Sequence, residues 1–141
     1  MLDQSAIARL IPHQGAMCLL ARVVAHDAAS ITCEAVNHAH PANPLRNAGG
    51  LPVTAGIEYA AQAIALHAAL RKQGGAPAGH GYLAVLSDVR WREDRLDHLP
   101  GPLVIQAELL ADTGGGLQYR FTVAGAGRPP AIEGTQVIAK T

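Results

Sequence analysis

The chain of 141 residues has the length of one ordinary domain. Its eleven basic and eleven acidic side chains cancel, which argues against nucleic acid or an anionic membrane as a partner. No apolar run predicts a membrane span, and the start, Met1 to Gln4, lacks the pattern of a signal peptide, so we expect a cytoplasmic protein.

The first part of the chain predicts a helical turn and a β-hairpin. Ser5 to Leu10 predicts the turn, which ends before Pro12. Cys18 to Val24 is largely apolar, and Ser30 to Val36 alternates with the period of two that is typical of a half-buried strand. The residues His26 to Ala29 turn the chain between these two runs, so we expect them to pair. The only cysteines, Cys18 and Cys33, are predicted to be small buried residues.

The middle of the chain predicts a long loop and a buried helix. Residues 37–50 are rich in Asn, Pro, Gly and His without periodicity, and loops of that length are often functional. The helix is predicted from Thr54, as N-cap, to Lys72, and Gly74-Gly75 ends it. It is apolar almost all round, which indicates burial. Its first turns contain one carboxylate, Glu58, which is therefore the first candidate for chemistry.

The last part of the chain predicts four strands. Three of them are residues 81–91, 103–111 and 117–124, with a hairpin turn at Gly114-Gly115-Gly116. Pro129-Pro130 precedes the last strand, Ala131 to Ala139. Strands on both sides of a single helix indicate an α+β fold in which an antiparallel sheet wraps around that helix. One helix covers only part of such a sheet, so we expect a dimer.

Several motifs resemble the hotdog-fold dehydratases that act on 3-hydroxyacyl chains carried by acyl carrier proteins. Ile11-Pro12-His13, followed by Leu19 to Val23, is similar to their opening. Gly56 to Ala63 resembles their central-helix signature, in which Glu is catalytic. The similarity continues in the stretch from Tyr82 to Arg90 and in Pro100 to Leu103, and so it covers nearly the whole chain.

The closest resemblance is to the branch encoded with aryl polyene and related polyketide-type clusters. His40 to Leu45, followed by Leu51-Pro52, matches the loop of that branch before the helix. One departure concerns the Gly-His-Phe-Pro-Gly segment of the standard fatty-acid dehydratases. The corresponding residues, Leu45 to Gly50, contain no histidine, so the catalytic imidazole comes from elsewhere or is missing.

The resemblance implies dehydration to a trans-2-enoyl thioester without a dissociable cofactor. In this interpretation His40 is the base, with His38 as the nearest substitute, and Glu58 is the acid. Backbone N–H groups around Gly56 would donate to the thioester oxygen. Gly56, His38, Asn43 and Pro44 are the predicted substrate-binding residues. The implied partners are an acyl carrier protein with its phosphopantetheine-tethered substrate and a second copy, or a second dehydratase in a hetero-oligomer.

Two other functions stay open from the sequence. A hotdog thioesterase would use Glu58 to activate water. A non-catalytic subunit would pair with an active dehydratase and shape the tunnel in which that enzyme holds the acyl chain. Among the remaining histidines, His67 is predicted to be a packed core or interface residue and His13 to hold the N-terminal segment. His26, His80 and His98 lie in predicted turns, where solvation is expected. A metal site is not expected, because no Cys or carboxylate lies near His38 and His40 in sequence.

A small basic patch is a candidate docking surface for the acidic acyl carrier protein. Arg90, Arg92 and Arg95 lie near Trp91. The alternative is a solvated strand end that nearby acidic residues neutralise, namely Glu93, Asp94 and Asp97.

Overall fold

The computed structural model of the protein describes residues 2–11, 15–71 and 81–140. Its helices and strands, in chain order, are β1 (Leu2–Asp3), α1 (Gln4–Leu10), a 3-10 turn (Gly15–Met17), β2 (Arg22–His26), β3 (Ser30–Ala35), α2 (Ala55–Arg71), β4 (Gly81–Trp91), β5 (Leu103–Asp112), β6 (Gly116–Gly125) and β7 (Pro130–Lys140). The predictions for His13, His80, Lys72 and the loop at 74–79 lie outside the described residues.

The strands form one antiparallel sheet, and α2 packs against it. The sheet has seven strands in the order β1-β2-β3-β5-β6-β7-β4. α2 contacts β3, β5 and β6, so the helix lies across the middle of the sheet. The predicted α+β architecture is therefore confirmed. In the part of the chain that the structure describes, no helix is long and apolar enough to cross a membrane.

The apolar composition of α2 leads to the burial that the sequence predicts. Ala60, Ala63, Ile64 and Leu66 are almost completely inaccessible to solvent and belong to a single core with residues of the sheet. Removing such side chains from water is the main contribution to the stability of the fold. Small residues on the helix let its backbone approach the sheet closely. The core therefore forms between α2 and the sheet.

The beginning of the first predicted strand is wrong, and the reason is a side chain of α2. Cys18 to Ala21 are not part of the sheet, which this region joins only at Arg22. The Gln62 amide donates from Nε2 to Met17 O at 2.6 Å, and its Oε1 accepts from Leu19 N at 2.9 Å. Leu19 N is thus bonded to α2, and Cys18 O accepts from Gln4 Nε2 of α1 at 3.1 Å, instead of pairing with a neighbouring strand.

Strand β1 was not predicted, because two residues carry no periodic signal. Leu2 pairs with Val23 and Asp3 with Arg22 in antiparallel register. Asp3 also caps α1, since its side chain accepts from the Ala6 N–H at 3.0 Å. One short segment therefore both extends the sheet and starts a helix.

Strand β4 lies at one edge of the sheet and exposes large apolar side chains. Val85 is 50% exposed and Trp91 is 60% exposed, and Leu83 and Leu86 are also accessible. An edge strand leaves backbone N–H and C=O groups without a neighbouring strand. Among the described residues, this edge therefore combines an apolar surface with backbone groups that face no neighbouring strand.

Candidate active site

Glu58 lies in the first turn of α2 and is half-buried. Its carboxylate has no hydrogen-bond or ion-pair partner among the residues that the structure describes. Glu58 therefore combines partial burial with oxygen atoms that are free to meet a substrate.

Gly56 allows the start of α2 to approach the sheet. A Cβ atom at this position would lie 2.6 Å from Cγ2 of Ile132 on β7 and 3.5 Å from Cγ2 of Val123 on β6. Real Cβ atoms are not found at the shorter distance, so only glycine fits here without a shift. The close contact between helix and sheet explains this residue without reference to a substrate.

Backbone N–H groups at the start of α2 are already bonded within the protein, which corrects the expectation that they donate to the thioester oxygen. Gly56 N donates to Val53 O at 2.9 Å, and Ile57 N donates to Thr54 O at 3.0 Å. Ala55 N likewise donates to Pro52 O at 3.0 Å. A tight first turn thus uses the three donors that were predicted to face the thioester oxygen. In this conformation the Gly56 N–H is not free for that role.

His38 is buried, with 5% of its surface exposed. Its Nε2 lies 2.9 Å from Leu99 O, and because a carbonyl only accepts, Nε2 must carry the proton. The unprotonated Nδ1 is also buried and has no hydrogen-bond partner in the described part of the chain. His38 therefore anchors the loop to Leu99, and in its neutral form it holds a lone pair on Nδ1 that no described residue satisfies.

His40 is exposed, and its ring is bonded to its own loop. Ala42 N donates to His40 Nδ1 at 2.9 Å. The neutral ring then carries its proton on Nε2, which has no partner within the described residues. In this geometry His40 presents a donor, whereas His38 holds a free lone pair. The two predicted histidines thus have opposite hydrogen-bonding properties.

The loop that carries both histidines is bonded to the residue after Glu58. The Tyr59 hydroxyl donates to Asn37 Oδ1 at 2.7 Å and accepts from Asn43 Nδ2 at 3.0 Å. Asn43 Nδ2 also donates to Asn37 O at 3.1 Å, and Asn43 Oδ1 accepts from Leu45 N at 2.9 Å. Sequence reasoning missed this cluster, although the Tyr after the motif Glu was a visible signal.

The predicted substrate-binding residues of the loop differ in exposure. Asn43 is 6% exposed, and its amide is largely used to hold the loop in place. Pro44 is exposed on the same loop. A direct contact of either residue with substrate stays a prediction.

The predicted basic patch is partly neutralised. Arg95 forms an ion pair with Asp97 at 3.0 Å, and Arg92 lies 3.5 Å from Glu133. Arg90 is exposed and has no ion-pair partner among the described residues. Asp97 also accepts from Leu51 N at 2.9 Å, which ties it to the segment just before α2. These ion pairs favour the interpretation of the region as a solvated strand end over its interpretation as a continuous basic docking surface.

His67, at the other end of α2, is a packed core residue, as predicted. Its Nε2 donates to Asp27 O at 2.8 Å, so its Nδ1 accepts from the Tyr119 hydroxyl at 2.6 Å. The ring is fully buried, and burial lowers its pKa. Both ring nitrogens are used inside the protein, which separates His67 from the candidate site. No group of three or more metal-binding side chains occurs in the part of the chain that is described.

The model of the ApeP-like family, described as ApeP dehydratase, matches residues 5–134. The chain belongs to this family. Membership confirms the resemblance to dehydratases that the central helix and the preceding loop indicated. No curated protein matches the chain in sequence.

Solved structures establish that the fold is a hotdog fold. The chain is similar to the dehydratase heterocomplex ApeI:P from Xenorhabdus doucetiae, with 24% identity, a TM-score of 0.82, and coverage of 96% of this chain and 90% of that one. It is similar to a mutant thioesterase enzyme from Staphylococcus aureus at 11% identity, TM-score 0.63, with 85% and 93% covered. The E. coli PaaI protein from the phenylacetic acid degradation operon has 12% identity and a TM-score of 0.61, with 97% and 89% covered.

Proposed function

We propose that this ApeP-like protein removes water from 3-hydroxyacyl thioesters carried by an acyl carrier protein and so forms trans-2-enoyl thioesters. The reaction would serve fatty-acid synthesis or the synthesis of aryl polyenes and related polyketide-type products. The observation that carries the proposal is the half-buried Glu58 carboxylate, which has no partner among the described residues and follows the close packing of Gly56 on the sheet. The adjacent Tyr59 brings the histidine loop to the same turn of α2.

Elimination needs a base at C2 and an acid at the 3-hydroxyl group. The base takes the C2 proton, and the electron pair of that bond forms the C2–C3 double bond. The C3–O bond breaks, and the hydroxyl takes a proton from the acid and leaves as water. Glu58 is the proposed acid and His40 the proposed base, and both suit these roles chemically.

The hydrogen bonds of the loop make His38 a second candidate for the base. A proton can be accepted only at an unprotonated ring nitrogen. In His40 that atom is Nδ1, so the Ala42 N–H must release it or the ring must change tautomer. In His38 the unprotonated Nδ1 has no partner among the described residues, but it is buried. His40 stays the first choice because it matches the family loop.

The exposed edge of β4 supports a proposed assembly. A second copy of the chain, or a related dehydratase chain, would cover Leu83, Val85, Leu86 and Trp91 and continue the sheet. The Xenorhabdus doucetiae relative is a dehydratase heterocomplex, which supports the hetero-oligomer as an alternative to the homodimer. Light scattering of the unaltered protein and of Val85→Arg tests this edge. A monomeric unaltered protein, alone and mixed with a related chain, would contradict it.

The test of the function is water elimination from a 3-hydroxyacyl acyl carrier protein, measured with the protein alone and with a related dehydratase chain. Glu58→Gln and His40→Ala are each expected to lower kcat by about 100-fold or more, since proton transfer contributes about that much. His38→Ala decides between the two histidines. Glu108→Gln is the matched control, because that exposed carboxylate pairs with Arg120 on the sheet surface.

Two specific observations favour testing the other two functions, which are thioester hydrolysis and a non-catalytic role. A Glu58 carboxylate without a partner among the described residues also suits activation of water, so hydrolysis of acyl-CoA and acyl carrier protein thioesters is assayed beside dehydration. The bond from Ala42 N to His40 Nδ1 favours a non-catalytic subunit. Inactivity of the folded protein alone, together with activity of a complex that Glu58→Gln does not impair, would establish that role and contradict the proposed dyad.

A further inference from the structure

The Tyr59 hydroxyl is the centre of a closed hydrogen-bond cluster. It donates to Asn37 Oδ1 at 2.7 Å, across 22 positions of the chain, and it accepts from Asn43 Nδ2 at 3.0 Å. The ring is completely buried. Burial also raises the pKa of the hydroxyl to about 12, so the group stays a neutral donor. A neutral hydroxyl that donates one bond and accepts another holds both asparagines in fixed places.

This cluster determines where the histidine loop lies. Asn37 precedes His38 directly, and Asn43 follows His40 by three residues. The two anchor points thus enclose both histidines. A further bond, from His38 Nε2 to Leu99 O, fixes the loop from its other side. The loop contains no helix or strand, but its backbone forms turns in which His40 N donates to Asn37 O and Asn43 N donates to His40 O, each at 3.1 Å. The side-chain bonds to Tyr59 attach these turns to α2.

Tyr59 directly follows Glu58 in the chain, and both residues lie in the first part of α2. Because Glu58 and Tyr59 are consecutive residues of α2, a bond from Tyr59 to the loop fixes the loop relative to the Glu58 backbone. We infer that Tyr59 is a positioning residue, which keeps the histidine loop and the Glu58 carboxylate in the arrangement that the reaction needs. The catalytic consequence of this inference rests on the proposed function, whereas the placement of the histidine loop by Tyr59 does not.

Tyr119 provides a matched control at the other end of α2. It is the second completely buried tyrosine whose hydroxyl donates to a side chain, in this case His67 Nδ1 at 2.6 Å. Burial raises its pKa to about 12 as well. Tyr59→Phe and Tyr119→Phe therefore remove the same atom from equally buried environments. Only the first variant removes hydrogen bonds to the histidine loop.

The kinetic experiment compares the two variants in the full-length protein, with its partner chain if activity requires one. Both substitutions are expected to lower the Tm to a similar extent. Tyr59→Phe is expected to lower kcat about 10- to 100-fold with KM changed less than about threefold, since small misplacements of reacting groups have effects of that size. Tyr119→Phe is expected to keep kcat within about twofold. Equal losses in both variants, or full kcat in Tyr59→Phe, would overturn the inference.

A second readout is independent of activity and so separates this inference from the proposed function. Imidazole proton–nitrogen correlations are recorded by NMR, with His38→Ala and His40→Ala used to assign the two signals. In Tyr59→Phe the His38 and His40 signals are expected to shift or broaden, while the His67 signal responds only to Tyr119→Phe. Unchanged His38 and His40 signals in Tyr59→Phe overturn the inference even if the protein is active. Shifted signals in an inactive protein support the positioning of the loop and contradict only the proposed activity.

Discussion

Cγ2 of Ile132 lies 2.6 Å from the place that a Cβ atom of residue 56 would occupy. Cγ2 is attached to the β-carbon of a buried, branched side chain, so it cannot move away by a simple rotation. The contact fixes the distance between the first turn of α2 and β7. It therefore also fixes the height of Glu58 above the sheet.

Gly56→Ala is expected to lower the free energy of unfolding by about 1–3 kcal/mol, because an extra methyl group overpacks this contact. The better helix preference of alanine offsets only about 1 kcal/mol. Urea denaturation monitored by circular dichroism measures the change. Gly115→Ala is the control, since nothing lies within 4 Å of a Cβ there. Equal stability of Gly56→Ala and the unaltered protein would contradict the packing argument.

Two buried glutamines are expected to differ in how much stability they lose on substitution by leucine. Gln136 donates from Nε2 to Ile57 O at 3.0 Å, but its buried Oε1 has no partner among the described residues. Gln136→Leu loses one bond and also removes an unsatisfied acceptor, so stability is expected to change by less than about 1 kcal/mol or to rise. Both polar ends of Gln62 are bonded, so Gln62→Leu is expected to cost about 2 kcal/mol or more. Thermal denaturation of both variants provides the comparison, and a larger loss in Gln136→Leu would contradict it.

The stability of the fold is expected to fall in mild acid through His67. Burial lowers the pKa of this histidine, the bond to Asp27 O opposes the shift, and the charges of Arg71 and His26 add to it. The unfolded chain then binds a proton more readily than the folded one. The contribution of His67 to the free energy of unfolding is complete above the pKa of about 6.5 in the unfolded chain. It is lost as the pH falls towards the lower pKa in the folded protein.

Urea unfolding between pH 8 and pH 5 measures this dependence. His67→Gln is expected to show a smaller loss of stability over the same range, because the titrating group is absent while the other histidines remain. Identical pH profiles for both proteins would show that His67 does not titrate in the way the burial argument requires.

The two thiols are expected to be unreactive until the protein unfolds. Both cysteines are free and buried, and burial raises the pKa of Cys33 to about 12 and also raises that of Cys18. The thiolate is the nucleophile that attacks thiol reagents, so a raised pKa and burial both slow the labelling. Labelling with a chromogenic disulfide reagent is expected to be slow in buffer and complete in denaturant. Rapid labelling in buffer would indicate that these residues open to solvent.

Much of the fold could be predicted from local patterns. The apolar composition of residues 54–72 predicted a buried helix with Thr54 as N-cap, and the observed helix, Ala55–Arg71, begins directly after Thr54. The glycines at 114–116 predicted the hairpin between β5 and β6, where Thr113 N donates to Gly116 O at 3.0 Å. Alternation predicted β3 to within one residue. Each of these features depends on neighbours a few positions apart.

The candidate site was predicted less completely. Glu58 stood out, because a single carboxylate in an apolar helix is visible in any sequence. The tautomers of His38 and His40 were not accessible, since each depends on which backbone group lies beside the ring. The expectation that the Gly56 N–H is free was wrong for the same reason, because the tight first turn of the helix supplies its acceptor, Val53 O.

The sequence by itself determined the types of the main secondary-structure elements, the buried position of α2 and the identity of Glu58 as the unusual charge. Only the tertiary structure decided that Gln62 holds Met17 and Leu19 out of the sheet, that Tyr59 holds the histidine loop, and that β4 lies at the edge. These contacts join residues far apart in the chain, 43 and 45 positions for Gln62 and 22 for the bond from Tyr59 to Asn37. Local periodicity records which face of an element is apolar, but the partner of a buried polar group is selected only when the whole chain packs.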